Sequence, residues 1–142
     1  MINDVEMLTY VLQNAEMGCY GISSVRKQIH NSKVDSVLCD QLVKYGKLYH
    51  CATQMLKNRG EDPQHISPVV KTMTRISAAK DLKRDPSSSH IAEMMIKGNT
   101  MGVNKMARHI RNYDGKDRNV NTLARKMLQT EEENLRELTP YI

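Results

Sequence analysis

Apolar residues recur at three- and four-residue intervals along four long stretches of the chain, which is the signature of helices with one buried face. Over residues 4–29 the positions are Val5, Leu8, Leu12, Ala15, Cys19, Ile22, Val25 and Ile29, and Asn3 or Asp4 can cap the start. Residues 33–58 repeat the pattern with Val34, Val37, Leu38, Leu42, Tyr45, Leu48, Ala52 and Met55. That stretch ends at Asn58-Arg59-Gly60, where Gly60 suits a left-handed C-terminal cap. Residues 87–113 carry Ile91, Ala92, Met95, Ile96, Val103, Met106, Ile110 and Tyr113, and the turn Asp114-Gly115 follows. Residues 118–138 carry Val120, Leu123, Ala124, Met127, Leu128, Leu135 and Leu138, with Pro140 beyond. No stretch shows the strict alternation of a half-buried strand.

The chain changes character over residues 59–86. Pro63 and Pro68 lie inside this segment and Pro86 closes it. Ser67-Pro68 reads as a cap followed by proline at the first helical position. Val69, Val70, Met73, Ile76 and Ala79 predict a short helix in the middle, so the segment is a structured crossover rather than a linker. The connections before residue 33 and before residue 118 are short, and helices joined so tightly pack antiparallel. The expected fold is therefore all-α: an antiparallel four-helix bundle ordered hairpin, crossover, hairpin, occupying residues 1–142 as one domain. A weak internal repeat agrees with two halves. Met17-Gly18 matches Met101-Gly102, and Val34-Asp35-Ser36-Val37 matches Val120-Asn121-Thr122-Leu123, at offsets of 84 and 86 residues.

Composition changes the picture of the core. There is no Trp and no Phe, but there are 10 Met, so packing leans on Leu, Ile, Val and the adaptable thioether. The three cysteines, Cys19, Cys39 and Cys51, form neither a Cys-x-x-Cys pair nor a zinc spacing and read as reduced thiols of a cytoplasmic protein. The opening Met1-Ile2-Asn3-Asp4-Val5-Glu6 lacks a basic region before an apolar run, and no stretch has the ~20 apolar residues of a membrane span.

The net charge is +5. Lys71, Arg75, Lys80, Lys83 and Arg84 bias the crossover, and Lys105, Arg108 and Arg111 bias the third long helix. Asp81 and Asp85 dilute the first cluster, and no recognition motif points to nucleic acid. Weak binding of an acidic partner through the basic crossover is one reading of these charges.

A few residues interrupt the apolar faces and are candidates for chemistry. Gly18, Gly21, Gly98 and Gly102 lie inside predicted helices, where each costs about 1 kcal/mol against alanine. Close packing of the first and third long helices would offset that cost. The alternative is room for a ligand beside Tyr20, Asn99 and Thr100. His90 and Glu93 are three apart and share a helix face, suiting either a metal or a hydrogen-bonded pair at a helix start. Glu131 falls on the apolar stripe of the last helix and Glu16 flanks that of the first. A carboxylate so placed either sits at a helix edge or is buried with a partner.

The segments Asn14-Ala15-Glu16-Met17-Gly18, Ser89-His90-Ile91-Ala92-Glu93-Met94-Met95-Ile96-Lys97-Gly98-Asn99-Thr100-Met101-Gly102 and Glu131-Glu132-Glu133-Asn134-Leu135 resemble a group of uncharacterised bacterial four-helix proteins of ferritin-like fold. The resemblance spans nearly the whole chain and implies the fold, not an activity. Ferritin-like di-iron proteins use a Glu from each of two helices and Glu-x-x-His from each of the other two. This chain contains no Glu-x-x-His. Its second helix has no Glu, and Asn134 stands in Glu131-x-x-Asn134 where His would be wanted. No phosphate-binding glycine loop or nucleophile elbow is present either.

The expected function is thus that of a non-catalytic helical bundle acting through protein contacts, most simply as a homodimer, with no cofactor. The alternative is iron, another divalent metal or a small ligand held by Glu16, His90, Glu93 and Glu131.

Overall fold

The computed structural model describes residues 1–142 and is all-helical. Its five helices are α1 (Asp4–Val25), α2 (Ser32–Asn58), α3 (Pro68–Arg84), α4 (Ser88–Arg111) and α5 (Arg118–Leu138), with 3-10 turns at Arg26–Gln28 and Thr139–Tyr141. Each helix begins at a side-chain cap. Asn3 accepts from the Glu6 amide while the Glu6 carboxylate accepts from the Asn3 amide, a reciprocal capping box. Asn31, Ser67, Ser87 and Asp117 cap α2 to α5 in turn.

The helix ends differ from the sequence pattern where the chain must turn. The periodicity carries to Ile29, but α1 stops at Val25 and tightens into the 3-10 turn. Ile29 is extended there, which brings Asn31 round to cap α2 while Ile29 still packs on the core. After α2, Gly60 takes φ +74°, the left-handed geometry that glycine adopts without steric cost. Tyr113 lies beyond α4 because Asn112 and Asp114 pair with Ile2 instead: the Ile2 amide donates to Asn112 O (2.8 Å) and the Asp114 amide to Ile2 O (2.9 Å). Arg59 adds an ion pair to Asp117 at the same end, so the N-terminus and the ends of α2 and α4 are held together.

α1 packs on α2 and α4 packs on α5; α1 also touches α4 and α5, and α2 touches α5. Met7, Leu8, Val11, Leu12, Leu38, Leu56, Ile91, Met106, Met127 and Leu138 form the centre of the resulting core. α3 is different. It fills most of the crossover and packs chiefly on α1. None of the apolar residues that predicted it is buried: Val69, Met73 and Ile76 are 67 %, 65 % and 54 % exposed. Leu82 is buried instead, and Lys71 and Arg75 lie over the Tyr20 ring. No helix is long and apolar enough to cross a membrane.

Candidate functional site

The helix stripes carry polar residues into the core at one level. α2 contributes Gln41 and Tyr45, one turn apart; α4 contributes Asn99; α5 contributes Glu131 and Asn134, three apart on one face. All five are buried. The Tyr45 phenol lies 2.6 Å from Glu131 Oε2 and 2.7 Å from Asn99 Oδ1. A phenol has one hydrogen, so it donates to only one of them. With Glu131 protonated, the acid donates to Tyr45 and Tyr45 donates to the Asn99 carbonyl. With Glu131 ionised, Tyr45 donates to the carboxylate and the Asn99 amide turns to present its NH₂. Gln41 donates to the Asn134 carbonyl at 3.2 Å, while both side-chain amide atoms of Asn134 stay unpartnered.

Burial drives the electrostatics of this cluster. It pushes the Glu131 acid up from an ordinary 4.5 to about 7, against the opposing pull of the Tyr45 hydrogen bond. Burial and then the Glu131 charge raise the Tyr45 phenol. At neutral pH Glu131 can therefore either give or accept a hydrogen bond.

Two glycines make the cluster possible. A Cβ on Gly18 of α1 would stand 2.6 Å from the Tyr45 ring, and one on Gly102 of α4 would stand 2.5 Å from Glu131 Oε1. Gly21 and Gly98 are different: a Cβ at either meets nothing within 4 Å. The expectation that these four glycines draw the first and third long helices together is corrected accordingly. Two seat side chains from α2 and α5, and two face open space.

That open space is a cleft of about 1030 Å³ between α3 and α4, with α1 beneath. Gln41, Tyr45, Asn99 and Glu131 form its floor. The helix registers order it from end to end. Tyr10 stacks on His109 at 3.8 Å, and Asn14 donates to Gly102 O at 3.4 Å, so α1 and α4 run antiparallel. Ile22 and Val25 then fall alongside Met94 and Met95. α3 follows α1 in the same direction, because Glu16 meets Ile66 and Lys71 while Tyr20 meets Lys71 and Arg75. One end of the cleft is lined by Tyr10, Lys105, Arg108 and His109, the other by Ile22, Val25, Ala78, Met94 and Met95. The His109 imidazole is pushed below its ordinary value by burial and by the Arg108 and Lys105 charges.

The four residues considered as metal ligands do not converge, and no group of three or more His, Cys, Asp or Glu side chains could hold an ion. Each carboxylate leaves its helix in a different direction. Glu16 faces the crossover, accepting from the Ile66 amide (2.6 Å) and lying 3.0 Å from His65 Nδ1 and 3.6 Å from Lys71. His90 and Glu93 meet each other at 3.9 Å at the start of α4, where Glu93 is largely exposed. Glu131 alone reaches the core. A di-iron pair does not fit this donor set, since the one carboxylate there is surrounded by amides and a phenol.

Of the ligand-pocket candidates, Asn99 is in the cleft floor. The Thr100 hydroxyl is exposed and donates to Ile96 O at 2.8 Å, and Tyr20 lies under the cations of α3. Sequence reasoning missed Tyr45 and Gln41. Tyr45 looked like one more residue of an apolar stripe, and the signal that marks it is Gln41 four residues earlier on that stripe.

No family model matches the sequence, and no curated protein matches it. Among solved structures, the chain is similar to the crystal structure of a DUF305 fragment from Deinococcus radiodurans. The two share 16 % identity with a TM-score of 0.74, covering 96 % of this chain and 93 % of that one. At that identity the likeness shows an all-helical fold in common and nothing about activity.

Proposed function

We propose, from the fold shared with the DUF305 fragment and from the cleft, that this is a non-catalytic bundle that works by binding, and that the cleft between α3 and α4 is its binding site. The pairing of α1 with α2 and α4 with α5 around a crossover α3 supports a ferritin-like four-helix order. The three unpaired thiols support a cytoplasmic setting.

One observation carries the binding reading. Gly21 and Gly98 line the cleft, each at a helix-interior cost of about 1 kcal/mol, and no neighbouring atom requires either of them. Each leaves the cleft wider above its polar floor than a side chain would. Pockets for small ligands have this build: a mostly apolar lining with a few fixed polar groups.

The test is a titration with the neutral apolar dye N-phenyl-1-naphthylamine. Saturable one-to-one binding to the folded protein is expected, and Gly98→Leu, which fills the cleft, abolishes it. Unsaturable dye uptake, or binding untouched by Gly98→Leu in a protein that melts normally, removes the reading.

A second reading rests on α3. Val69 and Ile76 leave apolar surface exposed on its outer side, which supports contact with a second copy of the chain. Light scattering would report a dimer that Ile76→Lys dissociates. A monomer at high concentration would end that reading.

A further inference from the structure

We infer that the cleft takes a single-chain anionic amphiphile, with its alkyl chain along Ala78, Met94 and Met95 and its charged head beside Lys105 and Arg108. This rests on the cleft being the binding site and goes further, to the chemistry of what it holds.

Cations concentrate at one end of the cleft: Lys105 and Arg108 lie one turn apart there, while Lys97 stands alone, three residues from Met94, with Ser77 and Asp81 on the facing helix. The α1–α4 register puts Tyr10, Lys105, Arg108 and His109 at one end. Half-buried Ala78, Met94 and Met95 line the other, with the core residues Ile22 and Val25 behind them. Among the cations lining the cleft, Lys97, Lys105 and Arg108 are in no salt bridge with a carboxylate. Lys71, which stands outside the cleft, is by contrast drawn to Glu16. Two unpartnered cations at one end, Lys105 and Arg108, favour an anion there, and Arg108 suits a planar carboxylate or a phosphate. Asp81, the acid at the apolar end, is paired with Arg84 and turns no free charge on the chain.

Size and shape agree with one alkyl chain. From Tyr10 to Val25 the floor helix runs about 22 Å at 1.5 Å per residue. The opening lies along helices rather than into the core, which suits an elongated ligand. Met94 and Met95 are unbranched and repack around chains of differing length. Midway, Tyr45 and Glu131 sit below the chain, already joined to each other, so an alkyl segment passing over them leaves that bond unbroken.

The experiment displaces N-phenyl-1-naphthylamine with matched competitors below their micelle concentrations. Dodecanoate is expected to displace the dye at least about a hundredfold better than hexanoate, because each buried methylene adds to affinity. It is also expected to exceed dodecyltrimethylammonium by about tenfold or more, and that preference should collapse in Lys105→Gln/Arg108→Gln, whose side chains are exposed and leave the fold intact. Dodecyl phosphate tested alongside separates a carboxylate from a phosphate head; displacement by both supports the anionic class, and the tighter of the two names the source. Equal displacement by the cationic detergent overturns the anionic head, and equal displacement by hexanoate overturns the chain. Dye binding with no displacement by dodecanoate overturns this inference alone, whereas failure to bind the dye overturns the binding reading with it.

Discussion

Glu131 makes the stability of this fold depend on pH in a direction opposite to that of most carboxylates. In the folded chain its acid sits at about 7; unfolded, it returns to about 4.5. Between these values the folded state binds the proton more tightly. Stability is therefore full below about pH 4.5, falls as pH rises, and has lost this contribution once pH passes about 7. At 1.36 kcal/mol per unit the loss is about 3 kcal/mol. Glu131→Gln keeps the shape and an oxygen for the Tyr45 hydrogen bond but cannot ionise. The two proteins are expected to have similar stability near pH 4.5, with the Gln variant about 3 kcal/mol more stable at pH 8. For a chain of this length that corresponds to roughly 10 °C in Tm. Urea unfolding followed by far-UV circular dichroism, at constant ionic strength across the pH range, measures it. Histidines and falling net charge act on both proteins alike, so the difference between them isolates Glu131. A difference that does not change with pH, or a Gln variant less stable at pH 8, refutes the reasoning.

Tyr45→Phe removes the donor that opposes burial at Glu131. It should cost about 1–3 kcal/mol and move the pH at which stability is lost upward, read from its comparison with the Tyr45→Phe/Glu131→Gln double variant. The glycines should divide into two pairs in thermal melts. Gly18→Ala and Gly102→Ala destabilise by about 1–2 kcal/mol, because the Tyr45 ring and the Glu131 carboxyl have to move. Gly21→Ala and Gly98→Ala stabilise by up to about 1 kcal/mol, because only helix propensity changes. Glu16→Ala should release the 65–71 segment from α1, seen as faster amide exchange at Ile66 and protease cleavage within 61–67. Global unfolding should change little, since α3 buries only Leu82.

Local pattern was enough for the helical class of this chain. Three- and four-residue apolar spacing, Ser67-Pro68 and Gly60 are short-range signals, and they mark helices and their ends because the hydrogen bonds involved span only a few residues. The same pattern misled at α3. Periodicity shows that Val69, Met73 and Ile76 share a side of a helix, but not which side another helix covers. It marked Glu131 as the carboxylate on an apolar stripe, but it did not show that Glu16 and Glu93 stay outside the core. Those outcomes depend on how far each helix is slid and turned against its neighbours. The meeting of Tyr45, Asn99 and Glu131 joins residues 54 and 86 positions apart, and no window of sequence contains it. Which glycine cradles a side chain and which opens a cleft is likewise a matter of packing between helices. The sequence by itself determined that the chain is helical and where polar groups interrupt its apolar faces. Only the tertiary structure decided which of those groups meet, because their partners are brought together by contacts between helices and not along them.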